Sequence, residues 1–182
     1  MTETELIQQA RGGDPEAWEA LTQNHQEAVF RLAYLLLGDP DDAEDVAQEA
    51  FVRAYYTLKR FDSARPLRPW LMQIASNLAS NRRRSLGRYF NALMRLARDP
   101  SEPRTSMPED DPHALWQAVR QIRFEFQQVI YLRYFLDMGE DEMSTALGIP
   151  AGTVKSRLHR ALGALRKVIA DDYPHLQETF TS

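Results

Sequence analysis

The sequence predicts an all-α protein of two small helical domains, and three observations lead to this prediction. Apolar residues recur at helical spacing, and no stretch alternates apolar and polar residues as a half-buried strand does. Apolar residues make up 43% of the chain, enough to bury a core. A flexible acidic, proline-rich linker at 96–112 separates an N-terminal helical bundle (1–95) from a C-terminal helix-turn-helix domain (113–170). We expect a frayed tail over 171–182.

The N-terminal part contains three predicted helices. The Asp-Pro pairs at 14–15 and 39–40 each place a capping residue before a proline at the first helical position, so a helix should begin at each pair. Gly38 should end the first of them. A loop that contains Pro66 spans residues 62–68, and a third helix should begin near Pro69 and end within the arginine-rich stretch that follows.

The C-terminal part resumes the helical pattern near His113 and keeps it to about Ala170. Residues 140–147 predict a short helix, residues 148–152 a turn with two glycines, and Thr153 opens an amphipathic helix. Two helices joined by a glycine-containing turn are typical of a helix-turn-helix. A plain helical hairpin with a solvated basic face is the alternative.

The charges are segregated along the chain, although the net charge is only −4. Residues 65–98 hold eight arginines and no acid, and residues 143–170 hold five basic residues and no acid. The rest of the chain is acidic. This distribution predicts two anion-binding surfaces on an acidic body, with ordinary solvated faces as the alternative.

The helix that follows the glycine turn carries one candidate DNA-binding surface. Its N-terminal residues would meet base edges if it lay in a major groove, where an arginine can bind guanine with two hydrogen bonds. The candidate residues are Thr153, Lys155, Ser156, Arg157, His159 and Arg160.

The third predicted helix and the loop before it carry another candidate surface. Two asparagines lie one turn apart, and an amide suits base edges because it both donates and accepts. An aromatic ring before the loop can stack on an unpaired base, although a lone phenylalanine is more often a core residue. Arginines at a helix end also complement its dipole. The candidates are Phe61, Asn77, Asn81, Arg82, Arg83 and Arg84.

The second predicted helix has an acidic face opposite its apolar stripe. Asp45, Gln48 and Glu49 stand at i, i+3 and i+4 and therefore form one patch. A solvated face is the usual explanation for such a patch. The more specific hypothesis is a docking site for a basic partner.

Several function classes find no support in the sequence. Cysteine is absent, the four histidines are scattered without metal-ligand spacing, and no glycine-rich phosphate loop occurs. We expect no metal, no cofactor and no enzymatic activity. The N-terminus is polar and acidic, and the longest apolar run is residues 35–37, so we expect a cytoplasmic protein without membrane insertion.

Three stretches together resemble the extracytoplasmic-function (ECF) sigma factors. DAEDVAQEAF (42–51) resembles the family's helix that binds core RNA polymerase. Phe61 with WLMQIASN (70–77) and the following arginines resembles the helix that reads and opens the minus-ten element. ALGIPAGTVKSRLHRA (146–161) resembles the helix-turn-helix that reads the minus-thirty-five element. The resemblance covers about residues 10–170.

The resemblance implies a role for each stretch. The patch at 45–49 would bind the clamp coiled coil in the largest subunit of the polymerase. Asn77 would line a pocket for a flipped base, with Phe61 and the 62–68 loop as its other wall. In the recognition helix, Arg157 would contact a phosphate and its neighbours would read bases. Core RNA polymerase and promoter DNA are the implied partners. The family often has an anti-sigma protein as well.

The chain departs from the family's pattern at one place. The family often has Leu-Ser and an aromatic residue before the helix-turn-helix, where this chain has residues 138–140, Met-Gly-Glu. The start of that helix should therefore be capped less well.

Three functions compete with the one that the resemblance implies. The first is an autonomous helix-turn-helix repressor, which would need a dimerisation element that is not evident here. The second is a helical interaction module without a DNA role, and the third is a nuclease.

Overall fold

The computed structural model describes residues 1–96 and 113–176, and within these ranges every regular element is helical, as predicted. A 3-10 turn (Leu58–Arg60) follows α3, a π-helical turn (Tyr131–Phe135) follows α6, and a second 3-10 turn (Pro174–Leu176) follows α8. The α-helices of these ranges are α1 (Glu3–Arg11), α2 (Pro15–Leu37), α3 (Pro40–Thr57), α4 (Leu67–Leu96), α5 (Ala114–Gln121), α6 (Phe124–Ile130), α7 (Glu140–Leu147) and α8 (Ala151–Asp172).

The two Asp-Pro pairs begin α2 and α3, which confirms their prediction. The Asp14 carboxylate accepts a hydrogen bond from the backbone N–H of Glu16 at 2.9 Å, and that of Asp39 accepts one from Asp42 at 2.9 Å. Gly38 ends α2 with a φ of 79°, a left-handed conformation that glycine adopts without strain. The chain therefore reverses direction between α2 and α3 within two residues.

Helix α1 was not predicted from the sequence. The Thr2 hydroxyl accepts from the backbone N–H of Glu5 at 3.3 Å, and the Glu5 carboxylate accepts from the N–H of Thr2 at 2.8 Å. This reciprocal capping starts the helix in an acidic segment. Ile7, 1% exposed, and Ala10, 4% exposed, attach α1 to the bundle.

The N-terminal core forms where α2, α3 and α4 pack together. Their facing side chains are almost fully buried, and alanines on α3 bring its backbone close to its neighbours. Burial of each large aliphatic side chain contributes about 1.5–3 kcal/mol. The residues with no exposed surface on these helices are Val29, Leu32, Ala33, Ala43, Ala50, Ala54, Met72, Ala75 and Ala79.

Helix α4 is longer than predicted. The expectation that the third helix ends within the arginine-rich stretch is wrong, because helical structure begins at Leu67 and continues through Leu96. Gly87 is the weakest helix former after the arginines, and no proline occurs between them and Pro100. The predicted linker, 96–112, falls outside the described residues except at Leu96.

The C-terminal domain has more breaks than its apolar pattern indicates. Gln127, 1% exposed, donates from its amide to the carbonyls of Arg120 at 3.0 Å and Ile122 at 2.8 Å. These bonds satisfy carbonyls at the end of α5, so the chain can change direction there before α6 begins. The frayed tail is also corrected at its start: α8 continues to Asp172, and the buried Tyr173 hydroxyl accepts from Gln121 at 2.8 Å. Residues 177–182 lie outside the described ranges.

The two domains pack against each other through aromatic and amide contacts. The Trp116 ring on α5 stacks on Tyr34 of α2 with ring centres 5.7 Å apart, and its indole N–H donates to the Leu35 carbonyl at 3.3 Å. The Arg68 guanidinium at the start of α4 donates to the Leu136 carbonyl at 2.6 Å. Helix α7 also lies against α4. The C-terminal domain is therefore docked on the face formed by α2 and α4.

We predict that Trp116→Ala separates the domains without unfolding either one. Loss of the ring stack and the indole hydrogen bond weakens docking by about 1–3 kcal/mol. The chain has no cysteine, so E27C and K167C provide two specific dye sites on exposed positions for fluorescence energy transfer. Transfer should fall in Trp116→Ala. It should stay unchanged in the control Trp18→Ala, because Trp18 packs on Phe51 and Tyr55 within the N-terminal domain.

Candidate nucleic-acid interface

The predicted acidic patch lies on the outer face of α3. Asp45, Gln48 and Glu49 are all exposed. The Gln48 amide donates to Glu44 at 3.1 Å, and Arg53 pairs with Glu49 at 2.5 Å. These pairs are solvated and contribute little to stability. The structure thus brings the three predicted residues together on one exposed face, where Asp45 also lies 3.5 Å from Arg82 of α4.

The same face continues into an apolar strip that was not predicted from the sequence. Val52 is 54% exposed and Tyr56 is 79% exposed, and they follow Glu49 at i+3 and i+7. Tyr55 is also exposed, with its ring 5.3 Å from that of Trp18. The helical spacing of Asp45, Glu49, Val52 and Tyr56 was the signal available in the sequence. The face is acidic at its start and apolar at its end.

Phe61 lies in the core rather than at the surface. Its side chain is 8% exposed, and its ring centre is 4.7 Å from that of Trp70. The loop after it turns at Asp62, whose carboxylate accepts from the Ala64 N–H at 3.0 Å. The ring of Phe61 therefore packs against the ring of Trp70 and does not itself face the solvent.

The two candidate asparagines of α4, Asn77 and Asn81, are exposed, but the three arginines after them point in different directions. Arg82 donates from its Nε to Asp42 at 2.8 Å and lies 3.5 Å from Asp45. The hydrogen bond that Arg82 donates to Asp42 and the negative charge of that carboxylate raise the pKa of Arg82. Arg84 donates to the Ser80 hydroxyl at 3.0 Å on its own helix. Asn77 and Asn81 share the exposed side of the helix.

Arg83 faces the C-terminal domain. Its guanidinium lies 4.6 Å from the centre of the Phe124 ring and donates to the side-chain carbonyl oxygen of Gln127 at 3.2 Å. Partial burial lowers the pKa of Arg83, and the positive charge of Arg120 acts in the same direction. The arginine run is therefore not one basic patch, because its members serve an ion pair, a domain contact and a helix surface.

The helix-turn-helix has the predicted α7, turn and α8. Gly148 ends α7 with a φ of 64°. The Ser144 hydroxyl donates to the Ile149 carbonyl at 2.6 Å, and the Ile149 N–H donates back to the Ser144 carbonyl at 3.2 Å. At the other end of α7, the Gly139 N–H donates to the Glu142 carboxylate at 2.9 Å. This bond is the Glu142 half of a capping box, and glycine has no side chain to supply the other half as a serine would.

The candidate reading residues lie on the outer side of α8, while Val154 and Ala161 are buried against α7. The helix begins at Ala151, two residues before the predicted start. Its first turn has no acidic residue, so the positive end of the helix dipole is unopposed there. The exposed candidates are Lys155, Ser156, His159 and Arg160, and the half-buried ones are Thr153 and Arg157.

Metal centres and membrane spans are not found in the described part of the chain. Among residues 1–96 and 113–176, no group of three or more His, Asp or Glu side chains is placed to hold a metal ion. No helix in these ranges combines the length and the apolar character that crossing a membrane requires.

Two protein families match the chain. Residues 21–89 match Sigma-70 region 2, and residues 113–165 match Sigma-70, region 4. The ECF RNA polymerase sigma factor SigW of Bacillus subtilis (strain 168) is 32% identical over 178 residues, which cover 91% of this chain and 95% of SigW. The ECF RNA polymerase sigma factor SigL of Mycobacterium tuberculosis (strain ATCC 25618 / H37Rv) is 33% identical over 168 residues, which cover 89% of this chain and 94% of SigL.

Two solved structures share the fold. CnrH, determined in complex with the cytosolic domain of CnrY, has a TM-score of 0.70 and 25% identity, covering 93% of this chain and 98% of CnrH. The sigma factor RpoE of Bartonella quintana, determined with the anti-sigma factor NepR, has a TM-score of 0.67 and 21% identity, covering 85% of this chain and 97% of RpoE.

We predict opposite effects of alanine at the two glycines that flank the turn. Gly148→Ala should lower the free energy of unfolding by about 1–2 kcal/mol, because its left-handed conformation strains an L-residue. A Cβ there would also lie 3.1 Å from the Gln73 amide. Gly152→Ala should raise it by about 0.4–1 kcal/mol, because Gly152 is helical and a Cβ there meets open space. Urea denaturation followed by circular dichroism measures both, and equal destabilisation would contradict this account.

Proposed function

The chain belongs to the ECF sigma factors, and from this premise we propose which of its surfaces perform each step of transcription initiation. As a member of this family it binds core RNA polymerase, directs it to specific promoters and promotes strand opening. Sigma factors are initiation factors rather than enzymes, and we propose that this chain has no catalytic activity and acts in the cytoplasm. The proposal rests on one observation above all: α3, α4 and α8 each present an exposed polar surface outside the cores of the two domains.

The first surface is the outer face of α3, which binds the clamp coiled coil of the largest polymerase subunit. Asp45, Gln48 and Glu49 supply charge and hydrogen-bond acceptors to a basic partner. Val52 and Tyr56 continue the face with apolar area, and an exposed tyrosine is a typical interface anchor. The combination of a charged rim and an apolar end fits a helical partner.

The second surface is the exposed side of α4 with the loop before it, which reads and opens the minus-ten element. The N-terminal domain, residues 1–95, carries both this surface and the first. Asn77 forms hydrogen bonds with the edge of a flipped base. Trp70 forms a wall of the pocket for this base, and Phe61 packs against Trp70 and supports it. Unpairing costs a few kcal/mol, and stacking returns ~1–3 kcal/mol per base. Asn81 and Arg84 lie further along the same helix and contact the DNA strand next to the flipped base.

The third surface is the outer side of α8, which reads the minus-thirty-five element within the domain at 113–170. Lys155, Ser156, His159 and Arg160 read bases. Arg157 is half-buried and holds a phosphate. Neither domain needs to bind tightly alone, because polymerase holds both on one promoter and raises their effective concentration.

A regulatory protein is the third partner in this proposal. Both structural relatives described above were determined in complexes, one of them with an anti-sigma factor. We propose that an anti-sigma protein also binds this chain.

Transcription from random promoters tests the function against an autonomous repressor. Core polymerase with this chain should give run-off products that start at defined sites. A repressor would bind duplex DNA alone and yield no such products. Defined start sites then supply the promoters that the next experiments require.

We predict that the double variant Asp45→Ala/Gln48→Ala binds core polymerase about tenfold more weakly, because it removes two polar contacts from an interface. Helicity should not change, since both side chains are exposed. The matched control is Glu19→Ala/Gln23→Ala, which removes an exposed acid and glutamine that pair with each other on α2. Co-purification with core polymerase and circular dichroism provide the two readouts. Equal binding by both double variants would reject this surface.

We predict that Asn77→Ala leaves binding to minus-thirty-five duplex unchanged and lowers open-complex formation, because its base is exposed only after strand opening. A template with a pre-melted minus-ten bubble should restore part of the loss, since the unpairing cost is gone but the base contact is not. Permanganate footprinting on intact and bubble templates measures both parts. Asn24→Ala, an exposed asparagine on α2, is the control. Wild-type opening by Asn77→Ala would remove Asn77 from the pocket.

A further inference from the structure

Helix α1 lies outside the region that matches Sigma-70 region 2, yet it contacts both ends of the loop before α4. Its last residue, Arg11, reaches the entrance of this loop, and its first residue, Glu3, reaches the exit. Between these two ends the loop makes a short turn of its own, in which the Arg65 N–H donates to the Asp62 carbonyl at 3.0 Å.

Arg11 holds the entrance of the loop. Its Nε donates to the Leu58 carbonyl at 3.0 Å, and its NH2 group donates to the carbonyl of Phe61. One planar guanidinium thus fixes two carbonyls, one in the 3-10 turn and one at the first residue of the loop. Hydrogen bonds from a charged donor are stronger than neutral ones, and the planar geometry sets direction as well as distance.

Glu3 holds the exit of the loop. One carboxylate oxygen accepts from the backbone N–H of Leu67, the first residue of α4, at 3.2 Å. The other lies 2.9 Å from Nε2 of His25 on α2, which is buried. Glu3 therefore connects the first turn of α4 to the centre of the bundle. At the start of α4 its negative charge also complements the dipole of that helix.

We propose that α1 is a brace that sets the shape of the loop at 61–66, and that Arg11 and Glu3 are positioning residues for minus-ten recognition. This inference rests on the proposed role of that loop and of Asn77. A nine-residue helix is a rigid spacer, so contacts at its two ends fix the separation of the two ends of the loop. The loop and Asn77 then meet the flipped base in one arrangement. The brace touches no base itself and acts through the backbone of the loop.

The test measures base preference rather than stability. The parent holoenzyme selects single-stranded oligonucleotides from a randomised pool, and sequencing gives its preference at each position. In Arg11→Ala and Glu3→Ala holoenzymes the preference at the strongest position should fall about tenfold, because small misplacement of a reading surface has effects of this size. Arg11→Lys, which keeps one charged donor, should recover part of it. Binding to core polymerase should be unchanged.

Glu5→Ala is the matched control, because it removes the cap of α1 without touching the loop. A purely structural role for α1 would make Glu5→Ala and Glu3→Ala alike and would lower the yield of active holoenzyme without changing base preference; that result overturns the brace. If Arg11→Ala does not fold, Glu3→Ala and Arg11→Lys carry the same test. A parent holoenzyme without any base preference would instead contradict the proposed function of the loop.

Discussion

The structure depends on the burial of α4 along several of its faces. Met72, Ala75 and Ala79 have no exposed surface, and the helix packs against α2, α3 and α7. Over residues 67–80 the exposed side of the helix is narrow and carries Asn77, whereas every residue from Asn81 to Arg88 is exposed. Because α4 cannot rotate without exposing its core residues, the direction of this polar side is fixed by packing rather than by the polar residues themselves.

The ion pairs of Arg82 join the two surfaces that the function assigns to different partners. Asp42 and Asp45 belong to the acidic helix α3, and Arg82 belongs to the basic part of α4. The pairs are partly exposed, so they contribute little to stability. They nevertheless bring the proposed polymerase-binding side and the proposed DNA-binding side within one salt-bridge distance. A partner that attracts Asp45 therefore changes the electrostatic surroundings of Arg82 directly.

Local signals made much of the fold predictable from the sequence. The caps Asp14 and Asp39 and the stops Gly38 and Gly148 act on their own neighbours, so their effects are visible in a few residues. What escaped prediction depends on distant partners. The inward turn of Arg83 requires Gln127, and the new direction of α6 depends on the same buried amide. Helix α1 has a local capping box, but its short acidic segment has few apolar residues, and its place in the fold depends on packing against α2 and on contacts with the 3-10 turn at Leu58–Arg60.

The docked arrangement of the two domains is too compact for the promoter contacts proposed for α4 and α8. The minus-ten and minus-thirty-five elements are about 25 base pairs apart, or about 85 Å at ~3.4 Å per pair. A compact chain of this length has a radius of gyration of about 16 Å. The segment between Leu96 and His113 reaches at most about 60 Å when extended, which together with the two domains is enough to span both elements.

Reading both elements therefore requires that the Trp116–Tyr34 stack and the Arg83–Gln127 bond break. Arg83 takes part in this docking contact, and separation of the domains frees the N–H that it donates to Gln127. By reciprocity, any partner that keeps the domains apart makes Arg83 available, and docking weakens binding of that partner by the same free energy. In the proposed function, promoter spacing and the release of Arg83 from Gln127 are thus coupled by the fold.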